Sequence, residues 1–323
     1  MKSLQTLLVI AFVILSLTGC QGGQPETETY KIGILQLVDA LSEVEDGFRA
    51  GMAELGYTEG ENVVYMRQNA QANMEDLARF AQEMVDEEVD VIVAITTPSA
   101  IKALEASEGT DIPVVFIMVS DPIRAGLVES FAAPGGRVTG IADGMNESAG
   151  KRLELLQKLA PDIQTVLSVY SDEESLLPAE ENLRQAAKQL GLTLVEQQVS
   201  TSEEAAAAFQ AIQPGEVDAI FVPADGTISD AHSDILALAI RERIPCIYGG
   251  SEEDALAAYG PNFFSSGSQA ASLVDKVLRG VDPGTLPVEF VKKFDLVIDL
   301  NIAKQIDLTI PDDVLNIADT IIE

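Results

Sequence analysis

EVDVIVAITTPS, residues Glu88–Ser99, sets an almost uninterrupted apolar run against a close of hydroxyls and a proline, and EVDAIFVPADGT, Glu216–Thr227, repeats that design later in the chain. Apolar and β-branched residues in a row, without the alternation of a half-exposed strand, mark a strand covered on both faces, as in parallel sheets. The residues around each copy agree. Before the first stand KIGILQ (Lys31–Gln36), an amphipathic SEVEDGFRAGMAELGY (Ser42–Tyr57), NVVYMRQ (Asn62–Gln68) and an amphipathic MEDLARFAQEMVDEE (Met74–Glu88). IPVVFIMV (Ile112–Val119) and RVTGIA (Arg137–Ala142) follow. Strands that alternate with helices in this way predict a doubly wound α/β unit.

The same grammar restarts near Pro161 with TVLSVY (Thr165–Tyr170), a helix through PAEENLRQAAKQLG, LTLVEQQV (Leu192–Val199), a helix through EEAAAAFQAI, VDAIFVP (Val217–Pro223) and IPCIY (Ile244–Tyr248). FRAGMAELGY corresponds to LRQAAKQLGL and DIPVVF to RIPCIY, in the order set by the opening pair. Matching phrases in one order predict two lobes of like topology with a crevice between them. The boundaries read as 30–143 for the first lobe and 144–263 for the second. The tail, 264–323, is less regular, with GSQAASLVDKVLRG, a Pro/Gly stretch and FDLVIDL. It is expected to cross back and complete the first lobe.

Ligands of open parallel sheets bind beyond the carboxyl ends of the strands, where loops and helix N-termini converge. In the first lobe those positions hold Gln36, then Thr96, Thr97 and Ser99, then Ser120 and Asp121. TTPSA suits a helix start, with a hydroxyl as N-cap, proline in the first turn and free N–H groups for a carboxylate. Each hydroxyl read singly is a cap; together, at neighbouring strand ends, they form a candidate site. In the second lobe the matching positions are Tyr170, Asp225, Thr227, Tyr248, Gly249 and Ser251. Asp225 either faces the crevice and pairs with an ammonium or caps the next helix. Gly249 either admits a ligand or serves a turn, and Tyr248 and Tyr259 offer ring faces or pack in the core.

Composition narrows the function. Asp and Glu number 52 against 20 Lys and Arg, a formal net charge of −32, which repels phosphate backbones and argues against nucleic acid. The cysteines are Cys20 and Cys246; Cys20 belongs to the N-terminal processing site described below, which leaves Cys246 as the free thiol, so neither a disulfide nor a cysteine zinc cluster is expected, and Cys246 reads as a core residue. No phosphate loop or dinucleotide fingerprint appears, so no cofactor and no metal are expected. His232, the only histidine, sits in a helical pattern with no nucleophile motif nearby, which argues against a catalytic triad.

The first residues have the three-part layout of a secretory signal: Lys2, an apolar run from Leu7 to Leu15, and small residues after it. Leu17-Thr18-Gly19-Cys20 resembles the lipobox of bacterial lipoproteins. The resemblance implies cleavage of 1–19 as a signal peptide, acylation of Cys20, and a polar tether over 20–29 holding the folded part off the membrane.

Further likeness runs from Tyr30 to the end. KIGILQ, GFRAGMAELGYTEGENVVYMRQNAQ, VDVIVAITTPSA, IPVVFIMVSDPIRAGLV, PGGRVTGIA, VDAIFVPADGTI, IPCIYGG and AAYGPNFF in this order resemble the ABC-transporter substrate-binding lipoproteins of the tryptophan/tyrosine-binding type. The resemblance implies a type I periplasmic-binding-protein architecture of two doubly wound lobes. It implies an extracytoplasmic, membrane-anchored protein that closes on a small ligand, here an aromatic or branched amino acid and in characterised relatives an aromatic one, and delivers it to an ABC permease and its ATPase. The family's turns fall on Thr97 and Pro98, on Asp121 and Pro122, and on Asp225, with Tyr259 and Gly260 after its later strand. One departure is SDEESLLPAEE (Ser171–Glu181), where acidic residues crowd the crevice edge. A sensory binding protein coupled to a receptor shares the fold and the ligand and is the alternative reading; an exported enzyme is a weaker one.

Overall fold

The computed structural model describes residues 29–172, 174–250 and 255–323; the signal segment, Cys20, most of the tether and Ser251 lie outside them. The first lobe runs β1 (Tyr30–Gln36), α1 (Ser42–Glu54), β2 (Val63–Asn69), α2 (Met74–Asp86), β3 (Val91–Ile95), α3 (Thr97–Ala106), β4 (Val114–Val119) and β5 (Val138–Ala142). The second runs α4 (Met145–Leu159), β6 (Thr165–Ser171), α5 (Leu177–Leu190), β7 (Thr193–Val199), α6 (Ser202–Ala211), β8 (Ala219–Val222), α7 (Gly226–Ser229), α8 (His232–Glu242), β9 (Cys246–Tyr248) and β10 (Ala257–Pro261). After it come α9 (Phe263–Leu278), β11 (Glu289–Phe290), β12 (Phe294–Asp299), α10 (Leu300–Gln305), α11 (Asp312–Leu315) and β13 (Thr320–Ile322).

The first sheet has the order β11-β5-β4-β3-β1-β2 and the second β13-β12-β10-β9-β8-β6-β7. Each contains the same five-strand winding, reversing direction between β1 and β3 in one and between β6 and β8 in the other. Those reversal points are where a doubly wound sheet opens a crevice at its carboxyl edge. Strand β3 shows why its sequence is apolar throughout. Val91, Val93 and Ile95 pack with α1 and α9, whereas Ile92 and Ala94 pack with residues of α2 and α3. Both faces of the strand are thus covered.

The tail divides between the lobes. Helix α9 packs on α1, and β11 pairs with β5 in parallel, so this part completes the first lobe. Small residues allow the helices to touch: a Cβ built on Gly47 would stand 1.9 Å from the Phe264 carbonyl oxygen, and one on Gly267 1.9 Å from that of Val44. The remainder differs from the expected return, because β12 and β13 join the second sheet. β12 runs antiparallel to β10, with Tyr259 opposite Leu296. The chain enters that sheet from the crevice side with no helix to carry it to the far edge, so it must run against the neighbouring strand. The chain passes between lobes after β5, β10 and β11.

Cys246 is fully buried, and burial pushes its thiol up to about 11, so it stays protonated. No helix of the described residues is long and apolar enough to cross a membrane.

Candidate functional site

Beyond the carboxyl ends of β3, β4, β6 and β8 lies a cavity of about 760 Å³ whose walls come from both lobes. The first lobe supplies Thr96, Thr97, Ile101 and Lys102 around α3, and Met118, Ser120, Asp121 and Arg124 after β4. The second supplies Glu174, Leu176, Ala224, Asp225 and Gly226. This volume suits a small organic molecule.

The first-lobe wall is the N-terminal end of α3, the positive end of its dipole. Thr96 occupies the N-cap position of α3 with φ 88°, and its side chain makes no capping hydrogen bond. Its hydroxyl instead lies 3.3 Å from that of Ser99. The expected hydroxyl cap is therefore absent: at a positive φ the side chain swings away from the helix's first N–H groups and does not cap them. Met118 also has a positive φ, 61°, and the pairing of β4 with β5 shifts register there. Two non-glycine residues in this conformation at one cavity are a local cost of about 1–3 kcal/mol each, held by the surrounding sheet. Lys102 and Arg124 add positive charge, although Lys102 pairs with Glu105 and Arg124 with Asp121.

Ser120 donates to Asp143 at 2.6 Å, which joins the end of β4 to the crossing that follows β5. Burial raises the Asp143 carboxyl above its ordinary range, and the bonds from Ser120 and the Met145 N–H oppose that rise. On the second-lobe wall, Asp225 is 4 % exposed. It accepts from the Thr227 N–H at 2.9 Å as the cap of α7 and from the Ser171 N–H at 2.8 Å. Asp225 thus caps its helix, and it also lines the cavity.

The other strand-end residues lie elsewhere. Gln36 is buried and donates to Glu45 at 2.5 Å, while Glu45 also pairs with Arg67. Ser99 is fully buried under Thr96. Tyr170 accepts from Arg184 at 3.4 Å, and Thr227 serves the α7 turn through its N–H. Tyr248 is a core residue, with its ring 5.2 Å from that of His232. Gly249 cannot admit a ligand, because the Arg152 guanidinium fills the space above its α-carbon, with Nη1 2.0 Å from where a Cβ would stand. Tyr259 stacks on Phe294 at 5.3 Å, the pairing created when β12 entered the sheet. Gly250 and Gly260 border a second cleft of about 720 Å³ facing Asp39 and Glu43.

Sequence reasoning missed Met74, Met118 and Arg124 on the wall, and Arg152 behind it. Arg152 is 1 % exposed, donates to the Val222 carbonyl at 3.1 Å and lies 4.6 Å over the Phe221 ring. In GKRLELLQKL it reads as an ordinary helix-surface charge; a buried position three residues before Leu155 on the apolar stripe was the available signal. Glu174 belongs to the acidic stretch that marked the departure from the family pattern.

Two lobes of identical winding, a cavity between their carboxyl edges, and a model of the ABC transporter substrate binding protein that matches residues 31–322 together decide the family. The chain belongs to the ABC transporter substrate-binding proteins. A tyrosine-binding protein of Clostridioides difficile (strain R20291) is 32% identical over 320 residues, covering 93% of this chain and 91% of that protein. Among solved structures, a ligand-free, open substrate-binding protein with adhesive properties from Clostridium difficile superposes with a TM-score of 0.79 at 30% identity, over 91% of this chain and 99% of the other. A Streptococcus pneumonia protein in complex with L-Trp gives 0.76 at 28% identity, over 91% and 100%. These relatives are substrate-binding proteins and not enzymes, and this substrate-binding protein shares their architecture of two parallel-sheet lobes.

Proposed function

We propose that this substrate-binding protein captures an amino acid, aromatic in side chain, between its lobes and delivers it to an ABC permease outside the cytoplasm, tethered by an acylated Cys20. The observation that carries the reading is the polarity of the cavity: a helix N-terminus with Lys102 and the Arg124–Asp121 pair on one lobe faces Glu174 and Asp225 on the other. A carboxylate suits the first wall and an ammonium the second. Between them Met74, Ile101, Met118 and Leu176 offer apolar and thioether contacts to a ring. Bridging both walls stabilises the closed form relative to the open one, so the ligand drives hinge closure by its differential contacts. The relatives that bind tyrosine and tryptophan support the aromatic assignment.

Thermal unfolding of the chain from Gln21 onward, with L-tyrosine, L-tryptophan, L-leucine and sugars, tests this. A ligand at a hundred times its Kd adds about 2.7 kcal/mol. A shift with a sugar and none with an amino acid overturns the assignment. Anchoring is tested separately by palmitate labelling in a bacterial host: the wild type takes the label, Cys20→Ala does not, and equal labelling of both removes Cys20 as the acylated residue.

A further inference from the structure

Behind the second-lobe wall stands a carboxylate that the cavity does not expose. Glu180, in the first turn of α5, is 1 % exposed, and neither of its oxygens has a hydrogen-bond partner among the described residues. It follows Leu176 by four residues, and Leu176 already has helical backbone angles. Glu180 therefore lies one turn behind Leu176 on the face that Leu176 turns to the cavity. The charged groups that act on it are Glu196 from β7, Arg184 from α5 itself, Arg152 from α4 and Asp225 from the turn ahead of α7. On the 3-10 turn that leads into α5, Glu174 reaches the cavity instead.

Arg184, which also pairs with Glu196 at 2.8 Å, and then Arg152 are the cations that favour a charge on Glu180. Glu196 and Asp225 oppose that charge. A buried carboxylate without hydrogen bonds is costly to ionise. Burial first, and then Glu196, push the Glu180 carboxyl up to about 7.

We propose that Glu180 is a positioning residue for a cationic ligand group: an ammonium settling beside Asp225 draws Glu180 into its ionised form, which becomes a second negative charge behind that ammonium. The inference rests on the amino-acid reading above. The carboxylic acid loses its proton to the solvent, and no other bond changes. The ammonium offsets the repulsion from Asp225, and Arg184 and Arg152 favour the new charge.

Isothermal titration of the chain from Gln21 onward with L-tyrosine and L-tryptophan, at pH 6, 7 and 8 and in two buffers of unlike ionisation enthalpy, reads both consequences. About a tenth of Glu180 is ionised at pH 6 and about nine-tenths at pH 8, so affinity rises about tenfold across that interval. At pH 6 nearly one proton leaves per ligand bound, seen as buffer-dependent heat. Glu180→Gln flattens the profile and removes the buffer dependence. The propanoic acids that keep the ring and carboxylate but lack the amine show no slope. Glu180→Gln retains His232, the chain's one histidine, so a slope that survives in the variant overturns the assignment. Equal wild-type affinity at pH 6 and pH 8 without proton release also overturns it, while amino-acid binding stands. Failure of both amino acids to bind at any pH removes the amino-acid reading and this inference together. Should Glu180→Gln not fold, Glu180→Leu takes its place with the same two readouts and the same overturning results.

Discussion

Asp225→Ala and Asp225→Asn together separate the structural and ligand-binding work of one carboxylate. In the wild type its oxygens take the Ser171 N–H at the end of β6 and the Thr227 N–H at the start of α7. Hydrogen bonds to a charged acceptor contribute roughly 1.5–3 kcal/mol each. Alanine removes both, but the two donors fare differently: Thr227 is half-buried and can turn to water, whereas Ser171 is buried. The expected loss for Asp225→Ala is therefore about 2–4 kcal/mol. Asparagine is as good an N-cap as aspartate and keeps one acceptor, so Asp225→Asn should lose roughly half as much. Urea unfolding at pH 7, without ligand, measures both values. For ligand the order changes: both variants lack the charge, so each should bind an amino acid at least about tenfold more weakly, a loss of about 1.4 kcal/mol. Asp225→Ala unfolding within about 0.5 kcal/mol of the wild type refutes the bracing argument. An Asn variant that binds as tightly as wild type removes the charge of Asp225 from the site.

Gly47→Ala forces a methyl to 1.9 Å from the Phe264 carbonyl oxygen; because the obstacle is backbone, the helices must part, and a loss of about 1–3 kcal/mol is expected by chemical denaturation. Wild-type stability in that variant would mean α1 and α9 do not pack this closely. Thr96→Gly places a residue that tolerates φ 88° and should stabilise the protein by about 1 kcal/mol, with weaker ligand binding from the less rigid helix end; a destabilised variant contradicts the strained cap. For Glu180 the sign follows from a folded pKa raised to about 7 above its ordinary 4.5: the folded state holds the proton more tightly, so stability is greatest below about pH 4.5 and falls as pH rises to about 7. At about 1.36 kcal/mol per unit this is about 3 kcal/mol, and the stability gap between Glu180→Gln and wild type should widen by that amount from pH 4 to pH 8. A constant gap would place Glu180 in contact with water.

The fold was legible because its signal is periodic and local. VDVIVAI and VDAIFVP are apolar at every position, which a strand covered on one face would not be, and their matching neighbours disclosed a second lobe of the same winding. Part of the candidate site was legible on the same ground: Thr96, Thr97, Ser120, Asp121 and Asp225 line the cavity because strand ends can be counted from sequence and parallel sheets gather them on one edge. Gln36, Tyr248, Gly249 and Tyr259 are strand-end residues by the same count, yet they face a buried carboxylate, a core, an arginine and a neighbouring ring. Only packing distinguishes those destinations. What the sequence by itself determined, then, is the alternation of strands and helices and the edge on which chemistry collects, since both depend on the hydrophobicity of near neighbours. The tertiary structure alone decided the rest. β12 turned antiparallel because of the side from which the chain re-entered the sheet, Arg152 reached the ends of β8 and β9 from a distant helix, and Glu180 was enclosed among α4, β7 and the Asp225 turn. Each of those depends on contacts between residues dozens of positions apart, for which a single sequence has no local signature.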